Sequence, residues 1–178
     1  MAVFVSMYIF SILGFLIHLN RTPSRERTKG KIVELLLLYQ IIFSIGITSL
    51  LAFFGLTFMA DYIADYMGWP ASPFQQELGN VNLAFGILGI LAIWFRGHFW
   101  TATVLGFSIW IFSDGLQHIY QMLWDNNYAP GNIGIMPITD ISVPLIVTFL
   151  LCLYLKYNMP FKNLSFACVE AKRSRTKD

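Results

Sequence analysis

Five stretches of this chain read as membrane-crossing helices, and nothing else in the sequence limits the fold as strongly. Hydrocarbon is about 30 Å thick and a helix rises about 1.5 Å per residue, so a span needs roughly 20 mostly apolar residues. Residues 2–19, 32–60, 73–95, 99–123 and 141–157 meet that need, and the second is long enough to tilt or to extend past the hydrocarbon. The first stretch lacks the basic leading segment and small-residue cleavage site of a signal peptide, so it reads as a retained helix. Only 12% of the 178 residues are charged and the mean hydropathy is +0.60. A soluble domain carries about 25% charged residues, and the shortfall fits a surface that faces lipid. The expected fold is all-α: one integral membrane bundle of five transmembrane helices over residues 1–157, followed by a basic tail over 158–178.

Orientation follows from the cations. Arg21, Arg25, Arg27, Lys29 and Lys31 follow the first span, Arg96 lies between the third and fourth, and Lys156, Lys162, Lys172, Arg173, Arg175 and Lys177 end the chain. Five spans put all 12 basic residues on one side, whereas Asp61, Asp65, Glu77, Asp125 and Asp140 fall on the other. The positive-inside rule makes the basic side cytoplasmic, with the N-terminus outside and the C-terminus in the cytoplasm of a cell-membrane protein. Tyr62, Tyr66, Trp69, Trp124 and Tyr128 on one side, and Trp94, Trp100, Tyr154 and Tyr157 on the other, fit two interfacial belts. In the tail, Phe161, Leu164 and Cys168 share a helical face beside basic residues, which suits an amphipathic segment on anionic lipid as well as it suits an unstructured tail.

The third span opens with Ser72, Pro73 and Gln75 in the pattern of a capping box. Along it Gln75, Gly79, Asn82, Gly86 and Gly89 fall in one narrow stripe. Small residues let helix backbones approach where no hydrophobic effect acts between helices, so Gly79, Asn82, Gly86 and Gly89 are expected to form a packing seam, with Asn82 bonding between helices. Gly46 and Gly106 are candidate partners on neighbouring spans.

The fourth span carries the candidate chemistry. Trp110, Asp114, Gln117, His118 and Gln121 share one face, and Asp114 and His118 are four apart, so their side chains can meet. Ionisable groups at membrane depth are expensive and face the bundle interior or a wet cavity. Asp114 lies about 13 Å below the outer end of its helix and His118 about half that. The face is polar in its outer half and apolar in its inner half, the profile of a cavity opening outward. Glu77 and Asn80 on the third span and Asp140 at the start of the fifth lie at similar depth, although Glu77 reads equally as an interfacial carboxylate and Asp140 more readily as a cap. Carboxylates with one imidazole suit zinc, manganese or iron, but no close ligand spacing picks out a metal and none is assigned. His18 and His98 sit near the cytoplasmic ends of their spans and read more simply as interfacial residues than as haem ligands. The cofactor is unknown.

Residues Glu77 to Leu83 followed by Gly86 and Gly89, the preceding Ser72 to Gln75, and the later Gly115-Leu116-Gln117-His118 resemble an uncharacterised family of small prokaryotic multi-spanning membrane proteins, known only as a domain of unknown function. The resemblance covers about residues 60–123, implies that Glu77, Asn82 and His118 belong to a family pattern, and brings no activity with it.

There is no Walker, Rossmann or zinc-ribbon pattern, and no basic stripe with interleaved aromatics, so a nucleic-acid partner is not expected. Cys152 and Cys168 form no CxxC pair. The leading reading is a non-enzymatic protein binding a small ligand, ion or proton in an outward-facing polar cavity, with membrane lipid around it. The second is an accessory or scaffolding subunit beside other membrane subunits or copies of itself. The third is a membrane-embedded enzyme using carboxylates and the histidine. The topology is open to a direct check. Single cysteines at Ser72 and Asn126 should react with an impermeant thiol reagent on intact cells, and those at Ser24 and Ser174 only after lysis; external labelling at Ser24 overturns the five-span topology.

Overall fold

A computed structural model describes residues 2–159, and every element in it is helical. The expected amphipathic segment around Phe161, Leu164 and Cys168 lies outside the described residues. Helix α1 (Ala2–Arg21) is followed by a 3-10 turn at Ser24–Glu26 and by the long α2 (Lys29–Phe58). Thr28 caps α2, its hydroxyl accepting from the Lys31 amide at 3.2 Å. Midway, residues Ile41–Ile47 widen into a π-helical segment, a local defect that helices usually avoid. Beside it a buried polar chain ties α1 to α2. Gln40 Nε2 donates to Ser11 Oγ at 2.7 Å, Ser44 Oγ donates to Gln40 Oε1 at 2.9 Å, and Ser11 Oγ donates to the Tyr8 carbonyl at 2.7 Å. The buried Gln40 and Ser11 are thereby satisfied, as apolar surroundings require.

The chain breaks at Met59 (φ −131°, ψ 34°) into a helix not expected from the sequence, α3 (Ala60–Met67), which buries Ala64 and Met67 and exposes Asp61 and Asp65. Gly68 ends it in the left-handed region at φ 68°, and the Trp69 amide closes back on the Ala64 carbonyl at 2.8 Å. Helix α4 (Phe74–Leu91) starts at a reciprocal cap: the Phe74 amide donates to Ser72 Oγ at 3.3 Å, and the Ser72 amide to Gln75 Oε1 at 2.8 Å. It stops short of residue 95 because the Ala92 carbonyl accepts from the Trp100 indole at 2.9 Å. Trp100, expected in an interfacial belt, is fully buried.

Helix α5 (His98–Trp124) leads through the short α6 (Pro130–Ile133) into α7 (Ile135–Asn158). The α7 start precedes the expected residue 141 because Pro137 sits in the first turn, where its missing N–H is not needed. Asp140 therefore lies inside α7 rather than at its start. Among the described residues, three helices are long and apolar enough to cross a membrane: Lys29–Phe58, His98–Trp124 and Pro130–Asn158. Helix α1 is apolar over the shorter Val5–Arg21, and α4 carries Gln75, Gln76, Glu77, Asn80 and Asn82.

One core gathers α2, α5 and α7 around Leu37, Ile41, Ile45, Trp100, Val104 and Val147 at the end of the bundle that carries the cations. Glu34 is held there by Arg96 and, at 3.4 Å, by Lys31. His18 Nδ1 lies 3.2 Å from the Tyr39 hydroxyl at the same end. Outward faces are apolar, with Ile9, Phe54, Ile109 and Phe149 exposed.

Helix α4 lies along α2, and its buried residues are Gln75, Gly79, Asn82, Gly86 and Gly89. A Cβ at Gly46, in the π segment, would meet the Gly89 carbonyl carbon at 3.1 Å. One at Gly86 would meet Leu50 Cδ2 at 2.6 Å, and one at Gly79 would meet Thr57 Oγ1 at 3.0 Å. Asn82 sits in this seam, but its amide donates to the Leu78 carbonyl of its own helix at 3.0 Å. Gly106 faces only the Phe85 ring, in ordinary contact at 3.5 Å. The obstacle at Gly89 is helix backbone, whereas at Gly86 it is chiefly a Leu side chain that can turn aside. Gly89→Ala should therefore destabilise the protein in detergent by about 1–3 kcal/mol and more than Gly86→Ala does. Equal unfolding temperatures for the two variants would remove the backbone contact as the reason.

Candidate functional site

The face of α5 expected to carry chemistry divides in the fold. His118 is buried at 3% exposure, Asp114 and Gln121 are half-buried, and Gln117 is exposed. Glu77 and Asn80 are exposed on α4 and line no part of the site; Asn80 Oδ1 accepts from Gln76 Nε2 at 3.3 Å. The third member comes from α7. Gly115 permits this, because a Cβ there would meet Ile141 Cγ1 at 3.0 Å and the Asp140 carbonyl carbon at 3.2 Å. With no side chain at that point α7 lies against α5, and Asp140 Oδ2 comes within 3.5 Å of His118 Nε2. Donor atoms of Asp114, His118 and Asp140 all lie within 4.8 Å of one another.

The tautomer of His118 follows from its neighbour. Asn132, 1% exposed in α6, turns its amide nitrogen toward the carbonyls of Asn127 at 2.9 Å and His118 at 3.4 Å. Carbonyls only accept, so the Asn132 oxygen is the atom that faces His118 Nδ1 at 2.8 Å, and Nδ1 carries the hydrogen. The neutral ring then aims the bare lone pair of Nε2 at the two carboxylates. Asp114 receives no hydrogen bond from any described residue. The Thr139 hydroxyl lies 3.5 Å from Asp140 Oδ1 but only 2.9 Å from the Met136 carbonyl, which takes its hydrogen. Three acceptors thus converge with no strong donor among them. Pro144, inside α7, adds to the imbalance: it has no N–H to give to the carbonyl of Asp140 one turn earlier.

Trp69 closes one face of the cluster. Its ring stacks on His118 with centroids 6.2 Å apart and planes 6° from parallel. Gln121 holds it there, accepting from the Trp69 indole at 3.0 Å, and so positions the cover rather than joining the acceptors. Asn132 and Trp69 were not expected in this role. Asn132 lies in a Pro-Gly-Asn turn, and the one hint is the bare Gly131, where a Cβ would meet Tyr66 Cδ1 at 2.7 Å.

The cluster lines one end of a cavity of about 550 Å³. Its walls are otherwise mostly apolar, including Leu51, Phe54, Phe107, Trp110, Met136 and Val143. The cavity exists because the helices part company away from the basic end. Residues 48–58 of α2 pack on α4, while α5 packs on α7, and the two pairs touch little there. Exposed Leu51, Phe54, Met59 and Tyr62 stand on its open side. The Tyr8 hydroxyl is enclosed in the wall near Ser142 without a hydrogen bond of good geometry.

Residues 1–160 match a family described as a family of unknown function, DUF6790. The chain belongs to that family. The match takes in the first helix, which the sequence resemblance had left outside, and reaches to the edge of the basic tail. No curated protein matches the chain. No solved structure matches it either.

The tautomer argument has a spectroscopic consequence. In long-range proton–nitrogen NMR of the three histidines, the neutral His118 ring should carry its hydrogen on Nδ1. Asn132→Ala should release that preference and destabilise the protein by about 1–3 kcal/mol, since it strips a buried donor of its acceptor. An Nε2–H ring in the unaltered protein would contradict the arrangement.

Proposed function

We propose that this chain is a five-span protein of the cell membrane that binds a small amphipathic ligand in a cavity facing the outside of the cell. One observation carries the reading: a cavity of about 550 Å³ joins mostly apolar walls to an ionisable cluster of Asp114, His118 and Asp140. Small-molecule sites combine these features, with apolar walls supplying affinity and a few convergent polar groups setting orientation. The ligand's apolar body lies along Leu51, Phe54 and Trp110, and its polar head meets the cluster. The enclosed Tyr8 hydroxyl supplies a second polar contact, since a buried polar group without a partner needs one from ligand or water.

The membrane reading rests on the three helices of spanning length and composition and on the apolar outward faces. Two further spans, α1 and α4, put Arg21, Lys31, Arg96 and Lys156 at the cytoplasmic end and leave Asp61, Asp65 and Asp125 outside. The cavity then lies in the outer half, and its apolar side opens to lipid, so a ligand can enter from the bilayer.

A brominated long-chain alcohol below its micelle concentration tests the cavity. Trp69 and Trp110 line it, so binding should quench tryptophan fluorescence saturably. Ala52→Phe, which fills the wall opposite the cluster, should weaken that quenching about tenfold or more while leaving thermal stability nearly unchanged, the loss expected when a bulky ring takes a ligand's place. Non-saturable quenching that is equal in the two proteins would mean that the probe reports only the detergent belt.

A further inference from the structure

We infer that Asp114, His118 and Asp140 are the three protein ligands of a divalent transition-metal site whose remaining position opens into the cavity. The inference deepens the ligand-binding reading and rests on it only for what occupies that open position.

The cluster needs a cation. A buried imidazole, 3% exposed, is fixed with its lone pair toward two carboxylates, and no strong donor stands among them. Either a proton or a metal ion can resolve three converging acceptors. Two features favour the metal. The first is distance. A charge-assisted N–H···O bond closes to about 2.7–2.9 Å, whereas His118 Nε2 and Asp140 Oδ2 stand 3.5 Å apart. Ligands bound tetrahedrally at about 2.0–2.2 Å are held roughly 3.3–3.6 Å from one another, which this pair matches, and with all three donor atoms within 4.8 Å the rest of the set closes on an ion by a side-chain adjustment. The second is charge. Two carboxylates with a neutral imidazole carry two negative charges, which two protons or one divalent cation neutralise, and only the cation can engage all three acceptors at once. In mostly apolar walls the neutral state is strongly favoured.

The donor set also selects among cations. One imidazole nitrogen and two carboxylates suit zinc, iron or manganese, whereas calcium and magnesium take oxygen ligands and calcium needs about six to eight of them. Asn132 supplies the outer-shell contact that metal-binding histidines commonly have, holding Nδ1–H so that Nε2 faces the ion. Trp69 covers the ring on one face. The side toward the cavity stays open, so an exchangeable fourth ligand comes from there. A bound metal makes that end of the cavity electrophilic, and the ligand head it takes is an oxygen donor: a carboxylate, a phosphate or an alcohol.

The test uses the full chain in detergent, stripped with a chelator and titrated with Zn²⁺ against a fluorescent chelating indicator. One Zn²⁺ per chain is expected. Asp140→Asn should weaken binding about 100-fold or more and Asn132→Ala about 10–100-fold, the range for outer-shell partners, whereas Glu77→Gln, an exposed carboxylate off the site, should bind as the unaltered protein does. Co²⁺ in place of zinc should give the intense visible bands of a four-coordinate ion, lost in Asp140→Asn. Thermal unfolding of each stripped variant shows whether it is folded, and Zn²⁺ should raise the unfolding temperature of the unaltered protein but not of the Asp114→Asn, Asp140→Asn double variant. Absence of stoichiometric binding, or equal affinity in that double variant, overturns the metal site. Saturable quenching by the brominated alcohol without zinc binding sinks the metal and leaves the cavity standing; zinc binding without quenching sinks the amphiphile and leaves the metal.

Discussion

Two contacts without side chains set the distances on which the bundle depends. At Gly89 the backbone of α4 lies against Gly46 of α2, and at Gly115 the backbone of α5 receives Asp140 and Ile141 of α7. Each contact makes a tight helix pair. On the proposed membrane reading there is little hydrophobic gain from association between apolar helices, so close backbone approach and dispersion carry it. The π segment at Ile41–Ile47 belongs to the same constraint, because Gly46 sits in its widened turn, where α4 comes closest. A local defect in α2 is thus tied to the best contact that α2 makes.

The two pairs pack directly on each other at the basic end, and at the other end they stand apart and are linked through α3 and Trp69. Around Trp100 and Ile41 the core is dense and its polar groups are satisfied: the indole reaches the Ala92 carbonyl, and Glu34 has Arg96 and Lys31. Toward the acidic end the pairs splay, and the groups facing the gap are left with acceptors in surplus. Folding alone favours the first arrangement. The second persists because the dense half holds the pairs at a fixed angle, and such locally unfavourable arrangements gather where proteins bind and react.

Much of this was legible beforehand for a simple reason. Residues 3.6 per turn apart share a face whatever surrounds the helix, so the run Gln75, Gly79, Asn82, Gly86, Gly89 could be read as one stripe, and Asp114 with His118 as neighbours. The capping pattern at Ser72 and Gln75 is equally local. What could not be read is what depends on a second element. Asp140 reaches His118 only because Gly115 lets α7 approach and because α7 begins upstream of Pro137, a residue that reads as a boundary but is tolerated in a first turn. Asn132 becomes the partner of His118 through the fold of a turn with no periodicity to read. Trp100 has the position and composition of an interfacial aromatic, and only the end of α4 folding over it reveals it as core.

The placement of the cluster has a consequence for how ligand and bundle depend on each other. Asp114 and His118 are carried by α5 and Asp140 by α7, and the helices that hold them abut at Gly115, next to Asp114 in the chain and against Asp140 and Ile141. A cation shared by the three therefore bridges this helix pair beside the close approach at Gly115. It draws on no residue of α2 or α4, whose halves away from the basic end form much of the remaining, mostly apolar wall. The polar end of the cavity is thus as rigid as the α5–α7 contact, while its apolar side is set by a different pair, tied to the first by the core at the basic end and through α3 and Trp69 at the other. Binding of a polar head is governed by the first pair, and accommodation of an apolar body by the angle between the two. Trp69 couples the two, because it follows α3 in the chain, stacks on His118 and is held by Gln121 of α5.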